Sequence, residues 1–174
     1  MKKLFLLFAL AVFAVELSAQ IEVKKEEFPS YQGVVTVDGK SASDLYSGLK
    51  LWMAEAFVSA QDVLQLDDKD NALLVIKGNI PVTIKIMTGP YTFHAQLSIR
   101  LESKDNRFRY TIEVNHIVDP AAPNAGDMIN TINKKPNSKY AIGAIEQTTA
   151  SVNALVQNMY SKLNSTLSPT EEDW

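Results

Sequence analysis

Residues 91–116 have the sequence YTFHAQLSIRLESKDNRFRYTIEVNH, which contains the clearest structural pattern of the chain. Apolar and polar residues alternate from Tyr91 to Leu101, and the same alternation returns from Phe108 onwards. Because successive side chains of a strand point to opposite faces, strict alternation predicts two antiparallel strands with one buried and one wet face. The stretch therefore predicts a hairpin within a sheet that is covered on one side only.

The turn of this hairpin is predicted at Asp105-Asn106, since both residue types tolerate the left-handed conformation of a tight turn. A two-residue turn places Glu102 opposite Arg109, whereas a four-residue loop would place Arg100 opposite Arg109. Like charges directly opposite each other are unfavourable in a sheet. We therefore predict the two-residue turn.

Two amphipathic helices are predicted on either side of the main run of strands. Ser41 and Asp44 form a capping-box pattern, and the apolar stripe behind them predicts a helix over residues 42–58. A second apolar stripe predicts a C-terminal helix that begins near Asn137 or Ser138. Between the last strand and this helix, residues 117–138 are interpreted as a long loop that holds at most a short element.

The remaining strands are shorter and rich in β-branched residues. They are predicted at residues 34–37, 63–66, 72–78 and 80–86. Pro81 cannot donate a ladder hydrogen bond, so we expect an edge or a bulge near Gly78–Pro81. Together the pattern predicts a two-layer α+β fold of strand, helix, four or five antiparallel strands and helix, with the helices on one face of a curved sheet.

The N-terminal segment predicts export. Lys2 and Lys3 precede a short apolar run, and Ser18-Ala19 supplies the small residues of a cleavage site, so residues 1–19 are interpreted as a signal peptide. The run is shorter than the roughly 20 residues that cross a bilayer, and no later run reaches that length. We expect cleavage near Ala19-Gln20 and a periplasmic or secreted product without a transmembrane segment. The mature chain is then divided into a lead-in (20–30), a single domain (31–164) and an acidic flexible tail (165–174).

Short motifs between residues 31 and 115 carry a family resemblance. They are Val34 to Val37, Gly39-Lys40-Ser41, Asp44-Leu45-Tyr46, Lys50-Leu51-Trp52, Asp67-Asp68-Lys69 and Ile76-Lys77-Gly78. With the signal peptide, they resemble a secreted bacterial family catalogued as a domain of unknown function with a TATA-binding-protein-like (TBP-like) fold. The resemblance implies the order strand, helix, four strands and helix, which agrees with the order predicted above. It implies no catalytic residues.

The amino-acid composition excludes several kinds of metal site and catalytic group. The 174 residues carry a net charge of −3, two histidines and no cysteine, which excludes disulfides, zinc–cysteine sites and thiol nucleophiles. His94 is predicted on the wet face and His116 on the apolar face, so the two are not expected to share a metal. We predict no metal and no cofactor. The usual hydrolase and phosphate-loop motifs are missing, so a non-enzymatic role is favoured, with an unrecognised hydrolase as an alternative.

The wet face of the hairpin supplies the candidate binding residues. They are His94, Arg100, Arg107 and Arg109. Because acidic residues stand among these arginines and the chain is acidic overall, the electrostatic footprint of a nucleic-acid partner is missing and none is predicted. We favour a binding or protein-interaction module that uses this face, the 117–138 loop, or both.

A small apolar-ligand carrier is the second possibility, with its site between the sheet and the C-terminal helix. Small residues of that helix, Ala141 and Ala144 among them, either permit close approach to the sheet or leave a void. The largest aromatic residues are predicted to fill the core. They are Trp52, Phe57, Phe93, Phe108 and Tyr110.

Overall fold

The computed structural model describes residues 30–57 and 59–165. The predicted signal peptide, all but the last residue of the predicted lead-in and all but the first residue of the predicted tail lie outside the described residues. The elements are β1 (Ser30–Thr36), α1 (Ala42–Ala56), α2 (Ala60–Val63), β2 (Leu64–Asp68), β3 (Leu73–Ile86), β4 (Gly89–Lys104), β5 (Arg107–Val118), α3 (Met128–Lys134) and α4 (Lys139–Ser165).

The five strands form one antiparallel sheet in the order β1-β5-β4-β3-β2. The hairpin of β4 and β5 turns at Asp105-Asn106 and places Glu102 opposite Arg109, as predicted. Asn106 adopts a φ of 62°, the left-handed conformation that the two-residue turn requires. The α+β class and the order of strand, helix, four strands and helix are confirmed, with two short helices added.

The start of α1 combines a local cap with a long-range one. Ser41 Oγ accepts a hydrogen bond from the Asp44 amide at 3.1 Å, and the Asp44 carboxylate accepts one from the Ser41 amide at 3.3 Å. The Asp105 carboxylate of the hairpin turn accepts a third bond, from the Ala42 amide at 2.8 Å. The hairpin turn therefore fixes the N-terminus of α1 against the sheet.

The end of α1 lies at Ala56, two residues before the predicted end. Phe57 is extended, with φ −119° and ψ 135°, and its ring packs edge-on against Trp52 with centroids 5.9 Å apart. Burying this ring in the core requires the chain to leave the helix at that point. All five aromatic residues predicted for the core are buried.

The small residues of α4 allow the helix to approach the sheet closely. Ala141, Ala144 and Thr148 have no accessible surface, so no water-sized space lies against them. Of the two readings that the sequence left open, close approach is the one observed. The buried faces of α1 and α4 cover the same side of the sheet and share one hydrophobic core.

One edge of the sheet is only partly covered. β2 pairs with β3 no further than Ile76, so the edge of β3 from Lys77 to Ile86 has no strand beside it within residues 30–57 and 59–165. Pro81 lies on this uncovered edge, as predicted from its missing N–H group. We call residues 77–86 the open edge.

The predicted 117–138 loop is shorter than expected, because β5 continues to Val118 and α3 occupies Met128–Lys134. Asp127 caps the N-terminus of α3, and Ile129 and Ile132 anchor this helix in the core. Among the helices of the described residues, none has the length and apolar character needed to span a membrane.

Candidate functional site

All four predicted binding residues lie on the face of the sheet opposite α1 and α4, which we call the open face. Their side chains are exposed, but they do not form one cluster. His94 lies opposite Pro81 towards one end of the face, whereas the three arginines lie towards the Asp105-Asn106 turn at the other end. The sequence therefore predicted the right surface, but its candidate residues mark two separate places on it.

The arginine end of the open face is partly neutralised. Glu102 lies between two guanidinium groups, with Arg100 Nη2 at 3.0 Å from Oε1 and Arg109 Nη1 at 3.8 Å from Oε2. Arg107 makes no ion pair within the part of the chain that the structure describes. Glu102 thus contacts two of the three arginines, and positive charge remains in excess at this end.

Charge is segregated across the molecule. The chain as a whole carries a net charge of −3, yet the strands present more cations than carboxylates on the open face. The cations are Lys77, Lys85, Arg100, Lys104, Arg107 and Arg109, and the carboxylates are Asp68, Glu102 and Glu113. The open face is therefore a basic surface on an acidic protein.

The prediction that His116 lies on the apolar face is wrong, and a β-bulge is the reason. The pairing of β4 with β5 shifts between Gln96 and Leu97, so that Asn115 has no partner of its own on β4. The extra residue reverses the alternation beyond it. His116 is consequently exposed on the open face, and Ile117 takes its predicted place in the core.

His116 is held by a carboxylate that the sequence reading missed. Its Nδ1 lies 2.8 Å from Asp127 Oδ2, while Asp127 Oδ1 accepts bonds from the amides of Ile117 at 3.0 Å and Ile129 at 2.9 Å. One carboxylate therefore joins the end of β5 to the first turn of α3. An Asp directly before an apolar run is a recognisable helix cap, and this signal was available in the sequence.

A polar groove of about 620 Å³ crosses the middle of the open face beside His116. Asn115 Nδ2 donates to Ser98 Oγ at 2.8 Å inside it. The lining consists of ammonium, amide, hydroxyl and imidazole groups without a carboxylate. The polar lining residues are Lys77, Asn79, Gln96, Ser98, Asn115 and His116. The polar groove is thus suited to carbonyl or carboxylate oxygens of a partner.

A second groove, of about 640 Å³, lies between the open edge of β3 and the first turns of α4. We call it the edge groove. Apolar side chains dominate its walls, and Met87 and Ile142 are two of the most exposed apolar residues of the described chain. Its lining residues are Thr83, Lys85, Met87, Pro90, Lys139, Tyr140, Ile142, Gly143, Glu146 and Gln147.

A third cluster joins α1 to β2 on the covered side of the sheet. The Tyr46 hydroxyl donates to Asp67 Oδ1, and Lys50 Nζ donates to Asp67 Oδ2 at 2.7 Å. Burial, reinforced by the neighbouring carboxylate, raises the pKa of Tyr46 to about 12. The bonds from Lys50 and Tyr46 lower the pKa of Asp67. Tyr46, Lys50 and Asp67 are thus partners of one another, and the cluster links β2 to α1.

Neither metal binding nor nucleophilic catalysis is supported by this geometry. His94 and His116 share the open face, contrary to prediction. Even so, no group of three or more metal-ligating side chains converges within residues 30–57 and 59–165. Ser98 lies in the same groove as His116, but its Oγ accepts a hydrogen bond from Asn115, while His116 Nδ1 bonds to Asp127.

Comparisons with known proteins agree with the fold. The chain is similar to a TBP-like protein from Parabacteroides distasonis, with a TM-score of 0.63 and 13% identity over 83% of this chain and 97% of that one. It is also similar to a DUF4468 family protein from Bacteroides ovatus, with a TM-score of 0.61 and 10% identity over 88% of this chain and 94% of that one. Curated proteins offer no match.

The sequence itself settles the family. The profile described as a domain of unknown function (DUF4468) with TBP-like fold matches residues 31–117, which run from β1 to the last residues of β5. The match includes the strands that form the open face and the hairpin turn that caps α1. The chain therefore belongs to the DUF4468 family with TBP-like fold.

Proposed function

We propose that the protein is an exported, non-enzymatic interaction module that docks an acidic partner protein on its open face. The segregation of charge is the observation that carries this proposal: a basic sheet face stands on a chain with a sequence pI near 5.4. Such a face attracts acidic partners, while the rest of the surface repels them. The signal-peptide pattern of residues 1–19 supports export.

The open face offers different contacts along its length. At the turn end, Arg107 is available for a partner carboxylate, and Arg100 and Arg109 can exchange Glu102 for a second one. In the middle, the polar groove provides amide, hydroxyl and ammonium donors. Arginine forks give geometric specificity, whereas the amides suit backbone or side-chain carbonyls. The open face can therefore bind a protein surface that presents both carboxylates and carbonyl groups, rather than a single ion.

A duplex nucleic acid fits this face less well. Phosphates form a continuous strip of negative charge, and a protein that follows it needs uninterrupted cations. Here Glu102 stands between two arginines, and Glu113 lies opposite Ser98 in the middle of the face. These carboxylates would face phosphates, which favours a protein partner.

The alternative of a small apolar-ligand carrier has weaker support. The surface between α4 and the sheet is closely packed at Ala141, Ala144 and Thr148, where a carried ligand was expected. The apolar space that does lie between α4 and the sheet is the edge groove, which opens to solvent. For a hydrolase, the pair of His116 and Asp127 would need a nucleophile, and Ser98 of the same groove bonds to Asn115 instead.

The proposal is tested with labelled poly-L-glutamate as the probe, measured by fluorescence anisotropy at low salt. A face variant (Arg100→Ser, Arg107→Ser, Arg109→Ser) removes three charges from the open face. A control variant (Lys69→Ser, Lys134→Ser, Lys135→Ser) removes three exposed charges elsewhere. Exposed ion pairs contribute up to about 1 kcal/mol each, so we expect the face variant to bind roughly 10- to 100-fold more weakly.

The control variant has the same net charge as the face variant and should bind like the wild type. Equal weakening of both variants would show that only net charge matters, and it would contradict the proposal. Absence of binding between the wild-type protein and poly-L-glutamate would also contradict the proposal. Tighter binding of a DNA duplex than of poly-L-glutamate at the same salt concentration would replace the protein partner by a nucleic acid.

A further inference from the structure

We infer that the open edge of β3, together with the edge groove, binds an extended acidic–apolar peptide segment as an additional strand of the sheet. This site borders the open face, with which it shares Lys77 and Lys85, and it does not depend on the function proposed above.

The hydrogen-bonding groups of the open edge point in a defined direction. The Ser103 amide donates to the Ala72 carbonyl at 2.9 Å, in the same register that pairs β3 with β4. Narrow and wide pairs alternate along an antiparallel ladder, so even-numbered residues of β3 bond to β4. Odd-numbered residues therefore direct their backbone groups outwards. The outward N–H groups belong to Lys77, Asn79, Thr83 and Lys85, and Pro81 contributes a carbonyl only.

Beyond Lys77, which follows the last pair of β2 and β3 (Leu64 with Ile76), the outward groups of β3 have no strand beside them within residues 30–57 and 59–165. A strand that adds to such an edge gains main-chain hydrogen bonds for affinity and pockets for alternate side chains. A helix beside an open strand provides such pockets. The edge groove supplies this arrangement, because α4 forms its second wall.

The walls of the edge groove define the chemistry of the segment. Met87, Tyr140 and Ile142 offer apolar contacts to every second side chain of an added strand. Lys85 and Lys139 lie at the same groove, with Glu146 as the single opposing carboxylate of its lining. The favoured segment therefore alternates apolar residues with acidic ones.

Two other occupants fit less well. A second copy that paired its own edge symmetrically about Pro81 would place Lys77 opposite Lys85 and one proline opposite the other, which is unfavourable. The chain's own tail, Thr166–Trp174, starts about 27 Å along α4 from Gln147, at 1.5 Å per residue. Its nine residues extend at most about 32 Å, so only the last residue or two could enter the groove of the same molecule.

The probe is the blocked octapeptide Glu-Val-Asp-Val-Glu-Val-Asp-Val, and the readout is amide hydrogen exchange measured by nuclear magnetic resonance. We expect the amides of Thr83 and Lys85 to gain protection of at least tenfold when the peptide is saturating. Val82 and Ile84 already bond to β4, so their exchange should change little. A peptide that carries N-methyl groups on its inward-facing residues cannot form the ladder and should give no protection.

Two variants at one position separate strand addition from nonspecific contact. Thr83→Pro removes an outward N–H group, whereas Thr83→Val keeps it; both lose the bond between Thr83 Oγ1 and Thr92 Oγ1 at 3.0 Å. We expect Thr83→Val to bind the peptide within about twofold of wild type and Thr83→Pro at least tenfold more weakly.

Equal binding by both variants would overturn the inference, as would peptide binding that leaves the Thr83 and Lys85 amides unprotected. If Thr83→Pro does not fold, the inference is tested by the exchange protection of the Thr83 and Lys85 amides in the wild-type protein alone. Concentration-dependent protection of the same amides without peptide would assign the edge to a second copy instead. The face variant (Arg100→Ser, Arg107→Ser, Arg109→Ser) should bind the peptide normally, which separates this site from the open face.

Discussion

Contact between α1 and α4 gives the sharpest prediction of stability, through Gly48. A Cβ atom added at Gly48 would lie 2.6 Å from Leu163 Cδ2, so the end of the fully buried Leu163 side chain would have to shift. Replacing a helical glycine by alanine gains up to about 1 kcal/mol in helix propensity, and overpacking costs about 1–3 kcal/mol. Gly48→Ala should therefore change the free energy of unfolding by between about 0 and −2 kcal/mol, measured by urea unfolding at equilibrium.

Gly143 provides the matched control in α4. Nothing lies within 4 Å of a Cβ atom added there, so Gly143→Ala should stabilise the protein by about 0.4–1 kcal/mol. In a double-mutant cycle, Leu163→Ala removes the clash, so Gly48→Ala should cost less in that background. If Gly48→Ala stabilises the protein as much as Gly143→Ala does, the packing of α1 on α4 described above is wrong.

Three further predictions concern single polar residues. Asp67→Asn should lower the pKa of Tyr46 from about 12 towards its ordinary value, as followed by ultraviolet titration, and an unchanged tyrosine titration would refute the contact. In the wild type, the stabilisation linked to this raised pKa is complete below about pH 10 and is lost as the pH rises through the pKa of the folded state. Asp127→Ala should cost about 1–2 kcal/mol in thermal or urea unfolding because the cap of α3 is lost, whereas Asp127→Asn should cost less than half as much; equal costs would contradict the capping role. Asn106→Gly should be better tolerated than Asn106→Ala by about 1 kcal/mol, because the turn requires a positive φ; urea unfolding with the reverse order would exclude the turn.

The sequence predicted those parts of the fold that depend on local pattern. The repulsion between Arg100 and Arg109 sufficed to choose the hairpin register, and Ser41 with Asp44 sufficed to place the start of α1. Pro81 marked the open edge of β3 through its missing donor. In each case the chemistry of one or two residues limits the backbone conformation at that point, so a short stretch of sequence is enough for the prediction.

The site was harder to predict, since it depends on non-local geometry. Asn115 and His116 are two consecutive polar residues between apolar Val114 and Ile117. This break in the pattern is compatible with a bulge, but the alternation was continued through it, so His116 was assigned to the wrong face. The edge groove exists because β2 stops pairing at Ile76 while α4 passes nearby, and these two facts come from distant parts of the chain. The excess of cations on the open face was not predicted, because the face was judged from the β4–β5 hairpin alone, without Lys77 and Lys85 of β3.

Mapping the surface that an acidic partner contacts decides whether the open face is the docking site. The measurement is a titration of isotope-labelled protein with poly-L-glutamate, followed through the backbone amide resonances. We expect shifts concentrated on the open face, around Arg107, Arg109 and the polar groove, which disappear at high salt. Shifts concentrated on the outer surfaces of α1 and α4, with the open face unchanged, would contradict this expectation.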